Sequence, residues 1–287
     1  MNKNIVVGTD IGGTHITAAL IDLEDQKIIP NSLVRSHVDA KGNCDQILNE
    51  WSDAINECKS LSPEITEKIG IAMPGPFDYQ KGISYIHGLD KFEALYNLNV
   101  KALLAKKLNI YSTSIFMMND ASCFLKGEVF GGSAKGSKNA IGITLGTGLG
   151  SAAFKDGIIH DGDLFYMPYK KATAEDYVST RWFINEYKER TGISVSNVKE
   201  IFDRVSSCET AVLLFGEFGY NLGEVLAAYS KKWNAETIVI GGNIINAWEL
   251  FMPQAKKVLQ SHSVMISPVK AMLGEQAALL GAGSLCI

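Results

Sequence analysis

Asp10 and Asp120 are the two acidic residues placed where chemistry could be done, each close behind an apolar run and close to a turn. Ile5-Val6-Val7 reads as a buried strand, and Asp10 follows it, then Gly12, Gly13 and Thr14, then a second β-rich run from Ile16 to Ile21. Strand, glycine turn, strand is a hairpin, not the strand-to-helix step of a Walker or Rossmann site. Glycines without Cβ atoms let a bulky anion approach the backbone N–H groups, and the Thr14 hydroxyl adds a donor. Asp10 stands where a carboxylate could hold Mg2+, directly or through water, beside a polyphosphate. The same residues also suit an ordinary hairpin turn. Leu145-Gly146-Thr147-Gly148-Leu149-Gly150 repeats the device between two further strands, and a structural turn gives no reason for the duplication. Asn119-Asp120 ends the apolar run Ile115–Met118 and precedes a helix. There Asp120 could take a proton from a substrate hydroxyl while Asn119 hydrogen-bonds a neighbouring one, or the pair could simply cap the helix. Gly241-Gly242-Asn243, after Ile238–Ile240, offers a flat backbone surface beside a base or ribose, or a plain strand-to-helix turn with Asn243 as cap.

The elements that must position these residues alternate between strand and helix. Strands are expected over 27–37, 68–73, 114–118, 139–145, 151–154, 237–240 and 264–270, besides the opening hairpin. Helices are expected over 44–61, 99–108, 121–130, 174–192, 198–205, 210–231, 248–262 and 275–285. Trp51, Tyr177 and Trp182 fall on apolar helical faces and read as core. The pattern describes two α/β lobes, one over 1–118 and one over 119–274, with the closing helix at about 275–287 placed back on the first.

Composition narrows the function classes. The 287 residues are 46% hydrophobic and 20% charged, which supplies a core for one large or two medium domains. A net charge of −4 and a pI near 5.8 argue against nucleic acid as a partner. No signal peptide is read, nor an apolar run near the ~20 residues of a membrane span, so the expected location is the cytoplasm. Cys44, Cys58, Cys123, Cys208 and Cys286 form no C-x-x-C pair, and the histidines show no metal-like spacing. His87, in a polar stretch with Gly88 and Asp90, is a pocket candidate.

Taken in order, Asp10-Ile-Gly-Gly-Thr14, Met73-Pro-Gly-Pro76, Asn119-Asp120-Ala121, Leu145–Gly150, Gly241-Gly242-Asn243 and Gly274–Gly281 resemble the motifs of ROK sugar kinases across essentially the whole chain. The resemblance implies a two-lobed, actin-like (ribonuclease H-like) ATPase fold with a cleft between the lobes. It implies ATP- and Mg2+-dependent phosphorylation of a hexose or N-acetylhexosamine hydroxyl. Asp120 would be the general base, and Asn119 and Gly75 would meet the sugar. Asp10 (with Mg2+), Gly12, Gly13 and Thr14 would form the first phosphate loop. Gly146, Thr147 and Gly148 would form the second, and Gly241, Gly242 and Asn243 the adenosine side. A homodimer is the family expectation.

The chain departs from that pattern in one stretch. Where the family carries Glu-x-Gly-His, a cysteine-rich zinc hairpin and Glu-Ala-Tyr, this sequence has Gly162–Pro168, a short connection and Glu175–Ser179. Asp163 matches the family glutamate, Tyr166 replaces the histidine that serves zinc and sugar, and Glu175 matches the second sugar-contacting glutamate. The expectation is a zinc-free variant whose substrate preference lies in Asp163–Glu175, glucose being the default sugar. With nine residues before Asp10 in this sequence, the helix-turn-helix of ROK repressors is not expected. The competing reading is a non-catalytic sugar- or nucleotide-binding sensor of the same fold.

Overall fold

Ile5, Val6 and Val7 are apolar on successive residues because both faces of their strand are covered. In the computed structural model, which describes residues 4–287, β1 (Ile5–Ile11) is buried at every position except the half-buried Asp10. β2 (His15–Asp22) returns antiparallel, Ile16 opposite Ile11. The expected strand over 27–37 is two: β3 (Lys27–Ile28) and β4 (Val34–His37) pair with opposite ends of β2. Pro30 and the positive φ of Asn31 (61°) break it. α1 (Cys44–Ser60) begins at an Asn43–Gln46 capping box and buries Ile47, Leu48, Trp51 and Ile55. β5 (Ile65–Met73) lies parallel to β1. β6 (Phe77–Asp78) and β7 (Ile83–Ser84) make a small ribbon, and α2 (Val100–Leu108) is capped by Asn99. β8 (Ile115–Asn119) pairs parallel with β5 and runs straight into α3 (Asp120–Gly131). The sheet order is β3-β2-β1-β5-β8, with β4 beside β3 on the β2 edge.

The second sheet repeats this plan. β9 (Asn139–Leu145) and β10 (Leu149–Lys155) form the central hairpin, and β11 (Ile158–Asp161) adds to β10. After the ribbon of β12 (Pro168–Tyr169) and β13 (Ala172–Thr173) come α4 (Thr180–Thr191), α5 (Val198–Phe202) and α6 (Glu209–Trp233). β14 (Thr237–Gly241) lies parallel to β9, and after α7 (Trp248–Ser261) β15 (Val269–Lys270) lies parallel to β14. The order is β11-β10-β9-β14-β15. In both sheets the glycine turn therefore joins the two central antiparallel strands. α6 is long and apolar enough to span a membrane by length and composition, but 61% of its apolar window is buried. Its Phe215 and Phe218 pack with Phe183 and Phe251 in the core.

The chain divides into two compact units: the described residues up to Lys135 together with Glu275–Ile287, and Gly136–Gly274. The boundary lies after α3, not before Asn119 as the sequence pattern places it. α3 belongs to the first unit because α8 (Gln276–Gly283) packs closely along it. That approach needs glycine: a Cβ on Gly127 would stand 2.0 Å from the Ala277 carbonyl oxygen, and one on Gly281 1.8 Å from that of Cys123. Two further expectations shorten. The helix expected from 174 starts at Thr180, after a series of single turns, and the last strand keeps only Val269–Lys270, after Pro268.

Candidate active site

Parallel pairing brings three strand ends of the first unit to one rim. Asp10 lies opposite Ala72, and Met73 opposite Asn119, so Asp10, Gly75 and Asn119-Asp120 follow one another across the ends of β1, β5 and β8. Such carboxyl ends of parallel strands are where open α/β sheets present reacting groups. Asn119 does cap α3: its Oδ1 accepts from the N–H of Ala121 (2.9 Å) and Ser122 (3.2 Å). Its Nδ2 donates to Tyr79 Oη at 3.4 Å, and that phenol donates to the Met73 carbonyl at 3.0 Å. A Cβ on Gly75 would lie 3.1 Å from the same phenol oxygen. Tyr79 thus ties the Gly75 turn to Asn119.

With the cap supplied by Asn119, Asp120 is spared. It is exposed, accepts only the adjoining Ala121 N–H (2.9 Å) and enters no ion pair among the described residues. The Asp10 carboxylate accepts no hydrogen bond among them. Burial first, and then the Asp120 charge, push its carboxyl up to about 6 from an ordinary 3.8, against the pull of Arg35. Arg35 reaches this place through register: Asp10 lies opposite Thr17, and Thr17 opposite Arg35. Its Nη1 also stands 3.7 Å from Glu275 Oε2, just before α8.

The first glycine turn is open. Gly12 N–H donates to the His15 carbonyl at 2.8 Å, and Thr14 Oγ1 lies 3.0 Å from His15 Nδ1. Neither Gly12 nor Gly13 has a positive φ, and a Cβ on either would meet nothing nearer than 3.5 Å. Nothing within the described fold requires glycine at either position.

In the second unit Gly146 likewise has no atom within 4 Å of a Cβ position. Its N–H donates to the Gly148 carbonyl (3.1 Å), and its carbonyl accepts from Thr180 N–H (3.0 Å). Thr147 lies between them. Gly148 is different, since the Glu175 carboxylate lies against it. Glu175 Oε2 accepts the Leu149 N–H at 2.8 Å, and Oε1 accepts from Arg181. Gly242 is required by the fold, with φ +89° and the Leu145 carbonyl oxygen 2.3 Å from a Cβ position. Gly241 is the buried end of β14, and the exposed Asn243 opens a 3-10 turn over Asn243–Ala247. Asp163 precedes another such turn, Leu164–Tyr166, which Tyr166 ends. Both are exposed, Tyr166 to 71%, with its ring against Phe165 at 4.0 Å.

The ROK family model matches residues 6–164 and 169–287. The chain belongs to the ROK family. It is 26% identical to the glucokinase of Thermotoga maritima over 99% of this chain and 98% of that one. It is 25% identical to the N-acetyl-D-glucosamine kinase of Haemophilus influenzae over 97% of this chain and 98% of that one. The solved ROK glucokinase of Streptomyces griseus, in complex with glucose and AMPPNP, superposes with a TM-score of 0.78 at 21% identity, covering 98% and 99% of the two chains. The fold is the actin-like ATPase fold of ROK sugar kinases. Residues 165–168, the internal gap in the ROK match, lie inside the stretch where the motifs depart from the family.

Sequence reasoning missed Tyr79, Arg35 and Arg181, because strand register and the return of Glu175 to the second glycine turn bring them in. Glu275 stood in a quoted motif without a role. Among the described residues no three His, Cys, Asp or Glu side chains are grouped to hold a metal ion.

Proposed function

We propose that this ROK protein is a cytoplasmic, ATP- and Mg2+-dependent sugar kinase that phosphorylates a hydroxyl of a hexose or N-acetylhexosamine, with Asp120 as general base. The observation that carries the reading is the contrast between two carboxylates at one rim. Asp120 is exposed and almost uncommitted, while Asp10 is half-buried and pushed up to about 6. Carboxylates held in unlike environments suit unlike roles. The likeness to a glucokinase and an N-acetyl-D-glucosamine kinase supports the substrate class.

The residues present fit the nucleotide. A carboxylate without a hydrogen-bond partner, as at Asp10, offers hard oxygens suited to Mg2+. At Gly12, Gly13 and Gly146 no side chain crowds the backbone closer than 3.5 Å to a Cβ position, so a phosphate can come close to these turns, whose Gly12 and Gly146 N–H groups are already bonded within the turn. When bound, ATP with Mg2+ supplies the phosphoryl group and the charge that neutralises its oxygens. Gly12, Gly13 and Thr14, and Gly146, Thr147 and Gly148, bind phosphates. Gly241, Gly242 and Asn243 pack beside the nucleoside. Asn119, Gly75, Asp163, Tyr166 and Glu175 orient the sugar, and Asp120 takes the hydroxyl proton. The reading assigns no zinc. All five cysteines are free thiols, which suits a reducing cytoplasm.

A coupled ADP-release assay with a panel of hexoses and N-acetylhexosamines tests this. ADP formation with at least one sugar, dependent on Mg2+, is expected. No ADP with any sugar, alongside calorimetric sugar binding, overturns it in favour of a non-catalytic sensor.

A further inference from the structure

Lys170 sits at the tip of the β12–β13 ribbon, in the Lys170–Lys171 turn that closes the pairs Pro168–Thr173 and Tyr169–Ala172. Its φ is +51°, in the left-handed region where a tight hairpin turn places its residues. The side chain folds back onto α6. Nζ donates to Asn221 Oδ1 at 2.6 Å and lies 5.3, 5.1 and 5.9 Å from the ring centroids of Tyr169, Tyr177 and Tyr220. Three rings within about 6 Å of one ammonium make an aromatic cage. Asn221 is 2% exposed, and its Oδ1 also accepts the Tyr169 hydroxyl at 3.1 Å. The tip of the ribbon is therefore fastened to a buried polar group of a core helix.

The base of the ribbon leads to the second glycine turn. Ala174 N–H donates to the Met167 carbonyl at 2.8 Å, and Glu175 N–H to that of Phe165 at 3.4 Å, extending the ribbon to Glu175. Glu175 in turn holds the Leu149 N–H. The fastening thus stands at one end, and the Gly146–Gly148 turn at the other, of one hydrogen-bonded strip. Residues 165–168, unmatched by the ROK model, run from the 3-10 turn Leu164–Tyr166 into β12 and supply the Phe165 and Met167 carbonyls of that strip.

We propose that Lys170, held in the Tyr169–Tyr177–Tyr220 cage and by Asn221, is a positioning residue that fixes the Phe165–Glu175 segment and, through Glu175, the Gly146–Gly148 turn. The substrate consequence rests on the kinase reading above; the positioning does not. Lys170→Met keeps the reach and the apolar stem but removes the charge and the donor. Lys170→Arg keeps a cation that stacks on aromatic rings.

The experiment is hydrogen exchange on the full chain, with sugar and ATP kinetics beside it. In Lys170→Met, exchange at the amides of Ala174, Glu175 and Leu149 is expected to quicken at least tenfold. KM for the sugar should rise about tenfold with kcat within twofold, and Lys170→Arg should restore most of both. Unchanged exchange at those three amides overturns the proposal. So does faster exchange with both KM values unmoved, since the cage would then be structural only. If the unaltered protein turns over no sugar, the kinase reading fails, and the exchange result alone decides whether Lys170 positions the turn.

Discussion

Glu175 and Gly148 compete for one space: a methyl group on Gly148 would stand 2.5 Å from Glu175 Oε2, the oxygen that accepts the Leu149 N–H. The glycine is therefore required by a neighbouring carboxylate and not by its own backbone angles. The carboxylate is also paired with Arg181, so it is anchored on both oxygens. It acts as a latch on the second glycine turn.

Breaking the latch should loosen nucleotide binding. Gly148→Ala is expected to push the carboxylate off Leu149 and raise KM for ATP about tenfold, with stability reduced by roughly 1–2 kcal/mol for the lost charged hydrogen bond. Glu175→Ala removes the same contact from the other side. If the latch is the cause, Gly148→Ala adds little once Glu175 is gone; additive effects in this double-mutant cycle would refute it.

Asp10 should make Mg2+ dependence sensitive to pH. Its carboxyl is pushed up to about 6, so it takes up a proton as the pH falls through that value. A cation must displace that proton. Apparent Mg2+ affinity should therefore fall steeply below pH 6, and magnesium titrations at pH 5, 6 and 7.5 read the effect. The stability sign is the reverse of a salt-bridged aspartate. With the folded value above the ordinary 3.8, Asp10 contributes stability below pH 4 that is lost as the pH rises through 6. Moving a carboxyl that far corresponds to up to about 3 kcal/mol, reduced by solvent at this half-buried site to roughly 2. Asp10→Asn should thus stabilise the ligand-free protein by about that amount at pH 7 and by little at pH 4, while weakening Mg2+ dependence at every pH. Urea unfolding at the two pH values measures it, and equal gains at both would remove Asp10 as the source.

The α3–α8 contact should tolerate no side chain at its glycines. A Cβ on Gly281 would meet the Cys123 carbonyl oxygen of α3 at 1.8 Å, and α8 meets β5 as closely, a Cβ on Gly70 falling 1.8 Å from the Ala282 carbonyl oxygen. Backbone cannot give way as a side chain can, so Gly281→Ala forces the helices apart. A loss of about 3 kcal/mol or more is expected, at the upper end for overpacking. Thermal unfolding checks it, and a loss below about 0.5 kcal/mol would mean that α8 packs otherwise.

This contact also marks where sequence reasoning stops. The strand ends at Asp10, Asn119 and Gly241, and the two glycine turns, could be read locally, because β-branched runs and glycine positions carry that information. The fold followed from their order. The membership of α3 could not be read, because Gly127 and Gly281 show their purpose only when helices distant in sequence meet. The start of α4 was misplaced because Tyr177, Val178, Trp182 and Phe183 have helical spacing, whereas Thr173 and Asp176 close a side-chain turn first: Asp176 Oδ2 accepts from both the N–H and the hydroxyl of Thr173. Tyr177, expected in the core, is only partly buried and serves the Lys170 cage. Glu175 was placed toward the sugar from motif order alone; its engagement with Leu149 and Arg181 is a tertiary fact.

Asp120→Asn separates proton transfer from binding. Asn119 already supplies the side-chain oxygen that caps α3, with Ser122 N–H at 3.2 Å, so replacing Asp120 should leave the helix start intact and stability within about 0.5 kcal/mol. The asparagine keeps the size and a carbonyl acceptor but cannot take a proton from the sugar hydroxyl. As general base, Asp120 is expected to contribute about 10²–10⁴-fold to turnover. kcat should fall by that range, with ATP and sugar affinities changed less than threefold in calorimetry. Removing the negative charge beside Asp10 should also bring the Asp10 carboxyl down from about 6, since Asp120 is the second cause holding it there. The Mg2+ dependence of ATP binding in the variant should therefore begin to weaken only at a lower pH than in the parent. Turnover within fivefold of the parent would take Asp120 out of the role of base, and an unmoved Mg2+–pH profile would show that the two carboxylates do not sense each other.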